Sequence, residues 1–366
     1  MGQHPLGNPQ DALLEVLDPA QNHAFHDHYV GVPFPLNEVF FIVTANTLDT
    51  IPRPLRDRME IIHVPAYTMA EKWHICRDFL IPRQRAECHL PSLELSDALL
   101  HAVIQHWHAH DAGVRGLNRS INRIGRHLAL ERLLHQTTPP LTLDLLAQIL
   151  GPHQSDSTRR SAASGQPGVV TGLVYSSTGV GDLLYVECAL MPSGAGHLKC
   201  TGNLRNIIRE SAMTAFHWIR RHRALLRIPQ EKIQQHDLHV HFPAGAVPKD
   251  GPSAGLAILA AMVSLYREEV VDFDTAMTGE VTLHGLVLPV GGIAEKVTAA
   301  VERGIKLLVV PLQNHKEAKD TIDTFDLGLQ KVITCHPVTT VEAALSLLFP
   351  ALASHLSAVP RPLAHL

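Results

Sequence analysis

The apolar positions of this chain change their spacing several times, and each change marks a predicted element. Asp11-Ala-Leu-Leu-Glu-Val-Leu17 has helical spacing and stops at Asp18-Pro19. Val39-Phe-Phe-Ile-Val-Thr-Ala-Asn46 is a continuous apolar, β-branched run, the pattern of a strand buried on both faces and hence of a parallel sheet. Ile61–Val64, beyond Pro52 and Pro54, predicts a short further strand. Apolar residues then recur every three or four positions over Ala70–Leu80, Ser96–His110 and Val114–Leu134, which predicts helices. Pro152–Gly168 is polar, patternless and rich in Ser, Gly and Pro, the composition of a linker.

Beyond the linker, strands and helices interleave. Val169–Tyr175, Leu183–Ala189, Leu238–Phe242 and Lys306–Pro311 read as strands, and Ala276–Val290 as a hairpin-like pair. Asn203–Ile228, Ser253–Tyr266 and Ile293–Arg303 read as helices. The predicted organisation is α/β plus α: a partial α/β core over 1–66, a helical region over 67–150 and a linker over 151–168. An α+β domain over 169–350 and a loose tail over 351–366 complete it.

Length and composition narrow the classes. A chain of 366 residues, 45% apolar, can bury two or three cores. No stretch approaches the ~20 apolar residues of a membrane span, and Met1-Gly-Gln-His-Pro5 does not read as a signal peptide. A net charge of −4 without a basic block gives no electrostatic footprint for nucleic acid. The five cysteines form no C-x-x-C pair and read as reduced thiols of an intracellular protein. The histidine clusters His23/His26/His28 and His106/His108/His110 have no recognisable ligand spacing and read as solvated, so no metal is expected.

Two segments carry candidate chemistry. Pro248-Lys-Asp-Gly-Pro-Ser-Ala-Gly255 places Ser253 at the mouth of an apolar helix, where unpaired backbone N–H groups and the helix dipole favour a developing negative charge. Gly291-Gly-Ile-Ala-Glu-Lys296 places a lone lysine on a helix beside Ile293, Ala299 and Ala300. An amine walled by small apolar groups is pushed toward neutrality, and a neutral amine can act as a general base. A serine at a helix start can be a simple N-cap and a lysine a solvated charge. Gly251–Gly255 also fits the G-x-S-x-G nucleophile elbow, but a Pro/Gly-rich loop separates Ser253 from the preceding strand, where an elbow needs the strand to run into the turn.

Taken together, these two segments closely resemble the Ser–Lys dyad of the Lon proteases. The resemblance runs from Gln166-Pro-Gly-Val-Val-Thr-Gly-Leu173 through Leu238–Gly255 and Ala276-Met-Thr-Gly-Glu-Val-Thr-Leu283 to about Phe349. It implies a serine endopeptidase degrading unfolded or damaged proteins, with Ser253 as nucleophile and Lys296 as base. Thr278 would position the lysine, and Asp250 would block or orient the serine. His239 and His241, alternating on one strand face, are then structural. Ala294, His284 and the loop Tyr175–Gly181 depart from the family pattern and bear on the substrate groove and ring contacts more than on the dyad.

The first half resembles the C-terminal part of a Lon-type AAA+ module. The matching stretches are Ala12–Asn22, Val39–Asn46, Ile51-Pro52 with Asp57-Arg-Met-Glu60, and Ala112-Gly-Val-Arg115. By that resemblance Asn46 is a nucleotide sensor, Arg58 an arginine finger and Arg115 a second sensor, since a spreading phosphoryl charge calls for planar, permanently charged donors. ATP and Mg²⁺ are the family's cofactors, yet no G-x-x-x-x-G-K-[ST] loop occurs here, so the chain is expected to be N-terminally truncated and to bind nucleotide weakly or not at all. The implied assembly is a homohexameric ring. A chain without this loop could alternatively join a ring of complete subunits and modulate it.

Phe242-Pro-Ala-Gly-Ala-Val and Leu286-Val-Leu-Pro-Val-Gly-Gly-Ile293 resemble the peroxisomal branch, and Ala364-His-Leu366 fits a loose form of the S-K-L address read by the peroxisomal import receptor. The expected location is the peroxisomal matrix, with the mitochondrial matrix or cytosol as alternatives.

Overall fold

The computed structural model describes residues 9–26, 29, 31–46, 48, 50–90, 93–136, 139–152, 165–175, 179–192, 194–243, 249–325 and 327–356. The chain divides after Val64 into two units. Most of the predicted linker and the last ten residues, including Ala364-His-Leu366, lie outside the described residues.

In the first unit, helix α1 (Pro9–Val16) is followed by a short antiparallel pair, β1 (Phe25–His26) with β2 (Pro33–Phe34), and by the single turn α2 (Arg53–Arg56). The run Val39–Asn46 is not a strand. It has no ladder partner among the described residues, and Phe40 is 87% exposed. Ile61–Val64 is likewise unpaired and exposed. β-branched and aromatic residues favour extended backbone, but a strand exists only where a neighbouring strand takes up its N–H and C=O groups. The sequence expectation of a buried parallel sheet here is therefore corrected.

The second unit begins with a helical layer. α3 (Met69–Ile75) runs through a π turn, Cys76–Leu80, into α4 (Ile81–Glu87), followed by α5 (Asp97–Trp107), α6 (Arg115–His135) and α7 (Leu143–Leu150). Thr68 starts α3 with a capping box completed by Glu71, and the Ser96 hydroxyl caps α5. Their apolar stripes meet in one core built around Val103, Ile104, Leu117, Ile121 and Ile124.

Next comes a seven-stranded mixed sheet ordered β11-β10-β7-β3-β4-β6-β5. Its strands are β3 (Val169–Tyr175), β4 (Gly181–Met191), β5 (Leu198–Thr201), β6 (Asp237–His241), β7 (Thr275–Met277), β10 (Leu307–Pro311) and β11 (Thr334–Val338). The β3–β4 and β4–β6 pairs are antiparallel and the other four are parallel. A separate hairpin, β8 (Glu280–Val281) with β9 (Val287–Leu288), accounts for the rest of the predicted pair.

The helices α8 (Asn206–Arg221), α9 (Gln230–Gln234), α10 (Gly255–Arg267), α11 (Ile293–Glu302), α12 (His315–Ile322), α13 (Leu327–Gln330), α14 (Val341–Leu348) and α15 (Pro350–Leu356) fill in around the sheet. The long helix expected over Asn203–Ile228 is shorter at both ends. Asn203 and Arg227 hold positive φ, and the backbone of 203–205 is bonded to Lys249 instead.

Central strand β3 is buried on both faces, and neighbouring residues of it serve different cores. Val170 packs with the α10 residues Leu256 and Ala257, whereas Leu173 packs with Ile293 and Val297 of α11. Ser253 precedes α10 and Lys296 belongs to α11, so this strand carries the helices of both candidate residues. At the start of β4, Gly181 lies so close to α11 that a Cβ would fall 2.0 Å from the Glu295 carbonyl oxygen. Gly181→Ala is expected to lower the stability of the folded chain by on the order of 2 kcal/mol, because backbone must shift on both sides. Urea denaturation measures it, and an unchanged midpoint would contradict the tight packing.

Candidate active site

Ser253 lies in a 3₁₀ turn, Pro252–Ala254, that leads into α10, so it is not the N-cap of the α-helix. Gly251, at φ +104°, permits the sharp entry into this turn, and Pro252 sets its first residue. The approach is pinned from below: Lys249 N–H donates to the Asn203 carbonyl at 3.1 Å, and Arg205 N–H to the Lys249 carbonyl at 3.0 Å.

Ser253 is held against the strand end that follows β7. Its carbonyl oxygen accepts from Gly279 N–H at 2.9 Å and from the Thr278 hydroxyl at 3.2 Å. Leu256 N–H returns a bond to the Gly279 carbonyl at 3.1 Å. Thr278 is fully buried, and its N–H donates to Val309 in β10. The turn that presents the serine is thereby fastened to the middle of the sheet by backbone bonds, which no side-chain substitution removes. The Thr278 side chain acts on the serine's backbone; the resemblance implied that it helps to position the lysine.

Lys296 is only 2% exposed. Its neighbours on α11, Ile293, Val297 and Ala300, belong to an apolar core. Among the described residues no hydrogen bond or ion pair reaches its amine, and none joins it to Ser253. Burial pushes Lys296 down to about 8, against a weaker upward pull from Glu295. Gly292 enters the helix at φ +67°, and a Cβ there would meet the Tyr175 ring at 2.8 Å. α11 is therefore set in place at its first residue as well as by Gly181.

The remaining sequence candidates fall elsewhere. Asp250 is exposed, and its carboxylate accepts from the Gly251 N–H at 2.9 Å, with no bond to the serine side chain. His239 and His241 share the Thr201 hydroxyl, at 2.8 and 2.7 Å, on adjacent strands of the sheet, as structural residues would. In the first unit Asn46 is exposed, and Arg58 is paired with Asp18 at 3.1 Å. The Ala20 N–H and then Arg58 hold the Asp18 carboxyl below its usual range. Arg115 is an exposed residue that opens α6 in the second unit.

One histidine expected to be solvated is not. His108 is buried, with its Nδ1 2.8 Å from Asp111 and its Nε2 2.9 Å from Ser120. The i, i+3 spacing of His108 and Asp111 was the available signal. The pair fits only because Gly116 has no side chain, since a Cβ there would lie 2.1 Å from the Asp111 carboxylate. No group of three His, Cys, Asp or Glu side chains suited to a metal occurs among the described residues.

The two sequence candidates are thus a half-buried serine on a turn fastened by backbone bonds and a buried lysine whose amine has no hydrogen bond or ion pair among the described residues. The family model described as the Lon protease (S16) C-terminal proteolytic domain matches residues 141–350, and that described as the ATPase family associated with various cellular activities (AAA) matches residues 3–66. The chain is 47% identical to the Lon protease of Nitrosococcus oceani over 338 residues, covering 91% of this chain and 43% of that protein. It is 44% identical to the Lon protease of Anaeromyxobacter dehalogenans, covering 94% of this chain and 41% of that one. It is also 44% identical to Lon protease 2 of Myxococcus xanthus, covering 94% and 42%. The chain belongs to the Lon protease family, and it spans about two-fifths of the length of these relatives.

The depressed Lys296 value makes a stability prediction. The unfolded lysine keeps its proton to 10.5 and the folded one only to about 8, so folding is opposed by on the order of 3 kcal/mol at pH 7, and that cost fades as pH rises from 8 to 10.5. Lys296→Met, which keeps the volume and removes the amine, is expected to raise stability at pH 7 by up to about this amount, with the gain shrinking across the same window. Denaturation curves at pH 7, 9 and 10.5 test it; a Lys296→Met variant less stable than the parent at pH 7 would show the amine to be compensated.

Proposed function

We propose that this chain carries the serine endopeptidase of an ATP-dependent protease of the Lon type, here without the phosphate-binding loop, acting on unfolded or damaged proteins through Ser253 and Lys296. The observation that carries the reading is Lys296, a lysine 2% exposed on an apolar helix face whose amine burial pushes down to about 8. In the proposed reaction Ser253 Oγ attacks the scissile carbonyl carbon while neutral Lys296 Nζ accepts the hydroxyl proton. The tetrahedral oxyanion is stabilised by backbone N–H groups around the turn. Lys296 then returns the proton to the leaving amine, giving an acyl-serine. Water, deprotonated by the same amine, hydrolyses the ester and restores the dyad. Thr278 keeps the serine backbone in register for this attack, and Asp250, whose carboxylate now holds Gly251, sets the loop ahead of it.

Asn46, Arg58 and Arg115 are proposed to serve nucleotide in the intact family assembly, a homohexameric ring with ATP and Mg²⁺. With no G-x-x-x-x-G-K-[ST] in its 366 residues, this chain by itself is expected to bind Mg·ATP weakly and to cleave peptides at a rate indifferent to ATP. The same missing motif supports a second reading, in which the chain enters a ring of complete subunits and modulates it. The segments Phe242-Pro-Ala-Gly-Ala-Val and Leu286-Val-Leu-Pro-Val-Gly-Gly-Ile293 favour the peroxisomal branch, and Ala364-His-Leu366 is proposed as the address read by the import receptor.

Two measurements test this. Ser253→Ala and Lys296→Ala are each expected to reduce cleavage of an unstructured fluorogenic peptide at least about 10³-fold with the fold retained, and the parent's rate should rise with pH around 8 as the amine loses its proton. Retained activity in Lys296→Ala, with loss in His239→Ala, would overturn the lysine base. A fluorescent protein bearing residues 351–366 is expected to collect in peroxisomes and to disperse on deletion of Leu366; a cytosolic or mitochondrial signal from the intact tail would remove the address.

A further inference from the structure

The C-terminal end of the lysine's helix is joined to the helical layer by polar contacts that the proposed chemistry does not use. Glu302 ends α11, and its carboxylate accepts the Met69 N–H at 2.7 Å. Met69 is the first residue of α3, so its N–H is one of the donors a helix cannot satisfy within itself. The Thr68–Glu71 capping box satisfies two others locally, and the Met69 donor is met from 233 residues away. One turn into α3, the Lys72 amine donates to the His108 carbonyl at 3.0 Å, and Lys72 is 2% exposed. Burial raises the Glu302 carboxyl and lowers the Lys72 amine, and each charge partly offsets the shift of the other.

His108 leads directly to Arg115. Its ring is clamped by Asp111 and Ser120, and the segment between them folds back so that the Ala112 carbonyl accepts from Tyr67 N–H at 2.9 Å. His110 from the same segment reaches Asp182 at 3.4 Å, and Asp182 reaches Arg303, next to Glu302, at 3.4 Å. A cavity of about 220 Å³ lies among Lys72, Glu302, Arg303 and residues Gly179–Gly181.

We propose that Glu302 is a positioning residue: by holding the Met69 N–H, it fastens the helix of Lys296 to the segment that carries Arg115, so that a displacement of either one moves the other. The inference rests on the proposed role of Lys296 for its functional meaning. Within α11, Lys296 and Glu302 are fewer than two turns apart, and a single helix transmits a shift at one end to the other with little loss. A sensor arginine and a catalytic lysine would in this way share one lever.

The test compares the parent chain with Glu302→Ala, Glu302→Gln and Lys72→Met, using amide hydrogen exchange over residues 69–72 and 293–300 and steady-state peptide cleavage. Glu302→Ala is expected to speed exchange about tenfold in both segments and to lower kcat about tenfold with KM within about twofold, because placement of the base is lost and substrate binding is not. Glu302→Gln still offers an oxygen to Met69 and should keep at least about half of kcat. Lys72→Met, which leaves the Glu302 carboxylate and the Met69 N–H in place, should also speed exchange over 293–300. Faster exchange confined to 69–72 in every variant would overturn the coupling. A parent that cleaves nothing would count against the protease reading alone, since the exchange comparison decides the clasp without it.

Discussion

Burial of one lysine amine, only weakly offset by the neighbouring Glu295, is the constraint around which this structure is organised. Lys296 sits among Ile293, Val297 and Ala300 and receives no bond from the described residues. Such a group destabilises the fold at neutral pH, and only a large surrounding core can hold it in place. That core is present: α10 is buried on every side from Gly255 to Ser264, and β3 is covered on both faces. The chemistry attributed to Lys296 and the strain that it imposes have the same origin, the exclusion of water from its amine.

The serine is handled in the opposite way. Its side chain is left half-exposed, while its backbone is immobilised by Gly279, Thr278 and the return bond from Leu256. Backbone bonds to a strand end give a geometry that depends little on neighbouring side chains. The lysine, by contrast, owes its placement to close approaches that tolerate only glycine, at Gly181 beside Glu295 and at Gly292 against Tyr175. The two partners are held by different kinds of force, so they respond differently to movement of the elements around them. The far end of α11 is where the helical layer attaches.

Within the first unit the limits of local pattern are plain. Val39–Val43 has the composition of a central strand yet remains unpaired and exposed. Hydrophobic, β-branched character records what a segment needs, and hydrogen bonding to a neighbour decides whether the need is met.

Much of the site was legible in the chain itself. An apolar helical run after Gly-Pro-Ser marked Ser253, and small residues around Lys296 marked a lysine facing inward, because period and side-chain size are properties of neighbouring residues. The strands β3, β4, β6 and β10 were readable as apolar or alternating runs, whereas β5 and β11, at the two edges of the sheet, were not marked. Tertiary structure alone decided the rest: that Thr278 grips the serine's carbonyl rather than the lysine, that Asp250 turns to its own neighbour, that His108 is buried on Asp111 and Ser120, and that Glu302 caps a helix begun 233 residues earlier. Each is a contact between groups brought together by folding, and no spacing along the chain encodes the distance between segments that pack from different layers.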